Sequence, residues 1–103
     1  MQLKEFHEIL KKTGIPVAYR HFEEKDSPGL PILVYMEAYS NNFAADGIVY
    51  EKIRHMQVDL YTASKEPETE DRVENALSGF FWEKDEEYLQ NERCCRVTYE
   101  VEV

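Results

Sequence analysis

The stretch from Ile53 to Thr62 alternates without a break. Arg54, Met56, Val58, Leu60 and Thr62 fall on one side, and His55, Gln57, Asp59 and Tyr61 on the other. A period of two belongs to a strand and not to a helix. A mainly apolar row backed by a polar one suits an antiparallel sheet with one face buried and one face in water. The closing stretch, Arg93 to Val103, repeats the pattern: Val97, Tyr99, Val101 and Val103 oppose Arg96, Thr98, Glu100 and Glu102. A fold built on two such rows needs an apolar layer to cover them.

Two amphipathic segments can supply that layer. Leu3, Phe6, His7 and Leu10 recur at helical spacing, Lys11 and Lys12 lie where cations suit the helix dipole, and Gly14 and Pro16 stop the helix. A second helix is predicted to start near Pro67. Glu68, Glu70 and Asp71 fill its first turn, Val73, Ala76, Leu77 and Phe80 form its apolar stripe, and Gly79 marks its end. Extended segments are predicted at Val17–Phe22, Ile32–Tyr39, Ile48–Tyr50 and from Phe81. Ser40–Gly47 reads as an irregular loop with a turn at Asp46-Gly47, and the polar run Glu83–Asn91 reads as room for a hairpin. Short turns between consecutive strands favour antiparallel pairing. The expected fold is α+β: a single antiparallel sheet with two helices packed on one face, forming one domain over residues 1–103.

At 103 residues and 12.2 kDa the chain supports one core. Its 21 acidic against 12 basic residues give a net charge of −9. That balance lacks the basic footprint of a nucleic-acid binder, so no specific DNA or RNA contact is expected. Cys94 and Cys95 are adjacent and point to opposite faces of a strand, so two reduced thiols are expected, at least one turned to the core. No secretory pattern and no membrane-length apolar run stands in the sequence, so a cytosolic product without membrane contact is expected.

The search for chemistry finds no phosphate loop, dinucleotide turn or nucleophile elbow. His7, His21 and His55 share no metal-ligand spacing, and His7 reads as a satisfied residue at the core boundary. The acidic runs Glu66–Asp71 and Asp85–Glu87 lack the spaced oxygens and turn glycine of a calcium loop, and read as solvated surface. No catalytic, cofactor or metal residue is assigned, and the chain is expected not to be an enzyme. The tyrosines divide. Tyr19, Tyr35 and Tyr99 read as edging the core with their hydroxyls in water, whereas Tyr39, Phe43 and Tyr61 are open between that role and contact with a partner.

Three segments carry a resemblance: Asn41-Asn42-Phe43-Ala44-Ala45-Asp46-Gly47-Ile48-Val49-Tyr50; Gln57-Val58-Asp59-Leu60-Tyr61-Thr62 with the acidic helix after it; and Arg96-Val97-Thr98-Tyr99-Glu100-Val101. With the leading helix they resemble the small minor tail and tail-terminator-like proteins of long-tailed phages and prophages of Gram-positive bacteria. The resemblance covers most of the chain, and its motifs are structural. It implies a subunit that assembles with itself into a ring, commonly a hexamer, at the head-proximal end of a tail. The implied partners are the tail-tube protein and head connector proteins, first in the host cytoplasm and then in the virion. It also implies that the loop Ser40–Gly47 makes inter-subunit or inter-ring contacts, which adds Asn41, Asn42 and Asp46 to Tyr39, Phe43 and Tyr61 as candidate interface residues. Another head–tail joining role in the same module is the nearest alternative. A regulatory protein mimicking DNA through acidic side chains is a more distant one.

Overall fold

The computed structural model describes residues 2–23, 28–45 and 48–103; over 40–45 and 48–53 it describes the course and pairing of the backbone alone. The elements run α1 (Leu3–Lys11), β1 (Val17–Tyr19), β2 (Ile32–Ala45), β3 (Ile48–Thr62), α2 (Pro67–Ala76), β4 (Phe81–Leu89) and β5 (Cys94–Glu102). The strands form one five-stranded sheet in the order β1-β2-β3-β5-β4.

The periodicities placed both helices. α1 ends where the charged and small residues begin. Thr13 Oγ1 donates to the Leu10 carbonyl at 2.7 Å and accepts from the Ile15 amide at 3.1 Å, and Gly14 turns the chain at φ +78°. α2 opens on Pro67 at its first turn with Glu68 and Glu70 beside it, as the dipole favours. Both helices cover the same side of the sheet. Phe6, Leu10, Val73 and Leu77 join Leu33, Tyr35, Met56, Val58, Leu60, Val97, Tyr99 and Val101 in one buried cluster. Register makes that layer continuous, because Tyr35, Val58 and Tyr99 stand in one cross-strand row and Leu33, Leu60 and Val97 in the next.

Four expectations need correction. The sheet is mixed and not purely antiparallel, because β1 runs parallel to β2 in the register Val17↔Leu33, Ala18↔Val34, Tyr19↔Tyr35. The stretch joining them, residues 20–31, has the dozen or so residues that a return to a parallel start requires. Residues 40–45 are strand and not loop, paired with β3 as far as Ala45↔Ile48. The two strands expected at 48–50 and 53–62 are one continuous β3. Glu83–Asn91 holds no hairpin: β4 runs straight to Leu89, and the turn falls after it, with Arg93 at φ 53°.

β2 and β3 outrun the sheet that carries them. β5 pairs with β3 from Thr62 only to His55, with one further backbone exchange between Arg54 and Val103, and β1 covers β2 only at Leu33–Tyr35. Past those points, among the described residues, the two strands pair only with each other, as a two-stranded arm. The molecule accordingly measures 50 × 27 × 27 Å, and its radius of gyration is 14.9 Å, where a compact chain of this length has about 13 Å.

Candidate functional site

Among the described residues no helix covers the second face of the sheet, and the candidate site lies there. Its rows follow from register. Ile32, Tyr61, Arg96 and Glu87 cross the sheet at one end; Val34, Asp59, Thr98 and Asp85 come next, then Met36, Gln57, Glu100 and Glu83. Tyr39, His55, Glu102 and Phe81 cross at the arm end.

Tyr39 reaches this face through a bulge. Leu33, Tyr35 and Glu37 share the helix-covered side, so strict alternation would put Tyr39 there too. The register slips between Glu37↔Met56 and Tyr39↔His55, leaving Ala38 as the extra residue and turning Tyr39 to the open side. There its ring stacks on His55 at 4.1 Å between centroids and 14° between planes, with Tyr39 still 52% exposed. On the other flank Phe81 is 66% exposed. Tyr39, His55, Phe81, Glu83, Glu100 and Glu102 line a shallow depression of about 140 Å³.

The middle of the face is tied down. Asp59 is buried and accepts from Thr98 Oγ1 at 2.7 Å and from Gln57 Nε2 at 3.1 Å. Arg96 donates to Glu87 Oε2 at 2.8 Å. Burial pushes the Tyr61 hydroxyl pKa up, aided by the Asp59 charge and opposed by Arg96. Burial and then Glu92 push the Cys94 thiol up, which keeps this buried, unbridged cysteine protonated. Cys95 faces the other way and is half-buried.

The structure does not gather the sequence-derived candidates into one site. Tyr39 and Tyr61 share the open face, but their rows lie six β3 residues apart, about 20 Å at strand rise. Asn41, Asn42 and Phe43 occupy register positions in the arm opposite Ile53, Lys52 and Glu51; their side chains lie outside the described residues, and Asp46 lies outside them altogether. What surrounds Tyr39 instead is His55, Phe81, Glu83, Glu100 and Glu102, none of them singled out from sequence. Alternation marked Glu100 and Glu102 as facing water, but only the β5–β4 register sets them against Glu83 and Phe81.

Three further readings change, the first at Tyr35, which is 4% exposed with its hydroxyl 2.8 Å from His7 Nδ1 and not out in water. Glu70 is not a solvated helix-start residue but is 4% exposed, held by Lys65 at 2.8 Å and Lys84 at 3.2 Å. Tyr99 is fully buried, and its hydroxyl meets Glu74 and not water. His7 does sit at the core boundary, 2.8 Å from the Tyr35 hydroxyl. Among the described residues no group of three or more His, Cys, Asp or Glu is arranged to hold a metal ion, and no helix is long and apolar enough to cross a membrane. No protein-family model and no curated protein matches the chain.

Proposed function

We propose that the chain is a structural protein of phage morphogenesis, a tail-terminator or tail-completion subunit that forms a ring at the head-proximal end of the tail. The observation that carries the assembly part is the β2–β3 arm. A two-stranded ribbon is marginal by itself in water, and its outer main-chain groups lack partners among the described residues. Edges of that kind pair with another chain unless something blocks them. From Met36 to Ala45, β2 carries one charged residue, Glu37, and no proline, so the usual blocks are sparse. An arm reaching out of a compact body suits a subunit that grips its neighbour. The assignment to a tail rests on the resemblance of the arm, the β3–α2 segment and the last strand to the minor tail proteins.

The test is the molar mass of the full chain by size-exclusion chromatography with light scattering across a wide concentration range, with negative-stain imaging of any large species. A closed ring supports the reading. A monomer at every concentration that also fails to co-purify with tail-tube and connector proteins refutes it.

A further inference from the structure

β2 has a free edge along most of its length. β1 pairs with it only at Leu33–Tyr35, and among the described residues no strand lies beside that edge from Met36 to Ala45. The slip at Ala38 breaks the row of outward main-chain groups near its start, so the unbroken stretch is Tyr39–Ala45. That stretch carries no charged residue and no proline. The other free edges differ. β4 carries Glu83, Lys84, Asp85, Glu86 and Glu87 in succession. The outer edge of β3, past the exchange between Arg54 and Val103, runs through Ile53, Lys52 and Glu51 before a second slip leaves Tyr50 unpaired. Charges along an edge block strand addition. The molecule thus leaves one long edge open to a strand and guards the others.

We propose that the occupant of this edge is the same edge of a second copy, paired antiparallel over Tyr39–Ala45 about a two-fold axis at Asn42. In that register Tyr39 stands opposite Ala45, Ser40 opposite Ala44 and Asn41 opposite Phe43, and Glu37 lies outside the ladder. Two chains that each carry a net charge of −9 repel, so a contact between them forms where neither side is charged. The antiparallel pairing also leaves the two bodies at opposite ends of the joined arms. It turns two marginal two-stranded ribbons into one four-stranded sheet. β1 does not obstruct it, because the second copy's strand ends beside Tyr39, short of Tyr35. The inference rests on the reading of the arm as an assembly contact and not on its assignment to a tail. A two-fold contact closes on two copies, so a ring needs a further contact elsewhere.

The experiment compares disulfide cross-linking of the full-length variants Asn42→Cys and Lys52→Cys under mild oxidation, with the parent as control. Lys52 stands opposite Asn42 within the arm. In the proposed pair position 42 faces its own copy at about 4.5–5.5 Å between Cα atoms, within reach of a disulfide. The two copies of position 52 lie three strand spacings apart, about 14 Å, and out of reach. Asn42→Cys should therefore cross-link at least about tenfold faster than Lys52→Cys. Asn42→Lys sets like charges opposite one another across the axis and should raise the dissociation constant of the pair, read by light scattering, at least about tenfold. An equimolar mixture of Asn42→Lys and Asn42→Asp should pair again, which a misfolded variant would not do. Equal cross-linking rates, a parent that stays monomeric at millimolar concentration, or a mixture that does not re-associate would overturn the proposal. A ring in which a cysteine at position 42 links only to one at position 52 of a neighbour would also overturn it and leave the tail-ring reading standing. Failure to co-purify with tail-tube and connector proteins would count against that reading and leave this pairing untouched.

Discussion

The hydroxyl of Tyr99 donates to Oε2 of Glu74 at 2.9 Å, tying the middle of β5 to α2. The ring is fully buried and packs edge-on against Trp82 at 5.5 Å. Burial, and then the bond to the Glu74 carboxylate, hold the phenol pKa well above its usual range. A group whose folded pKa is raised contributes stability that is present below its unfolded value, near 10, and is lost as pH rises through the folded one. Tyr99→Phe is therefore expected to cost about 1–2 kcal/mol at neutral pH and to flatten the loss of stability above about pH 10. Urea unfolding of both proteins at neutral and alkaline pH measures this. An alkaline limb as steep in the variant as in the parent would assign that limb to other groups.

Glu70 governs the acid side. Burial alone would raise its carboxyl pKa, but hydrogen bonds from Lys65 and Lys84 outweigh burial and hold it below the usual value. A lowered folded pKa gives stability that is present above the unfolded value, about 4.3, and is lost as pH falls through the folded one. Glu70→Gln should lower the melting temperature at pH 7 and make its decline below about pH 4.3 shallower. Thermal unfolding from pH 7 down to pH 3 tests it, and parallel acid limbs in the two proteins would count against this role. Because Lys84 also bonds Glu74 at 2.8 Å and Lys65 also bonds Glu86 at 2.9 Å, double variants at these positions should be non-additive.

Much of the architecture was legible because each element states its period locally. Val58 and Leu60 announced a strand, Phe6 and Leu10 a helix, and Pro67 and Gly14 their ends. What was not legible depends on pairing. Nothing local in Val17–Tyr19 says that it lies parallel to Leu33–Tyr35. Asn41 and Asn42 have weak strand propensity, yet residues 40–45 are strand because β3 lies alongside. The site was less legible still. Tyr39 faces outward only because Ala38 is bulged, and Glu70 reads as a solvated acid until Lys84, fourteen residues on, is brought beside it by β4. A one-dimensional pattern carries the face of a residue, but neither the bulge that changes that face nor the neighbour across the ladder.

Gly14 is expected to resist substitution where Gly79 does not. At φ +78° a side chain costs about 1–2 kcal/mol, and a Cβ there would also stand 3.0 Å from Arg72 Nη2. That guanidinium cannot easily yield, because its Nε and Nη2 both donate to the Thr13 carbonyl, joining α2 to the end of α1. A Cβ on Gly79 meets nothing within 4 Å. Gly14→Ala should lower unfolding free energy by at least about 1 kcal/mol, and Gly79→Ala should change it by no more than about 0.5 kcal/mol. Denaturant melts of the two variants side by side decide it, and equal effects would contradict the left-handed turn after α1.

The arm should be separable from the body. Ser40 pairs with Arg54 in the β2–β3 register, and neither strand beyond that pair contacts β1 or β5 through the sheet. Replacing residues 41–53 by Asn-Gly closes the hairpin with the two-residue turn that matches strand twist. The buried cluster among the described side chains is drawn from the helices and from the body of the sheet, so the shortened protein should unfold cooperatively within a few degrees of the parent. Its self-association, read by light scattering over the same concentration range as the parent, should disappear. A shortened protein that still forms the parent's oligomer would remove the arm from the assembly contact, and one that fails to fold would mean that the arm supports the sheet rather than extending from it.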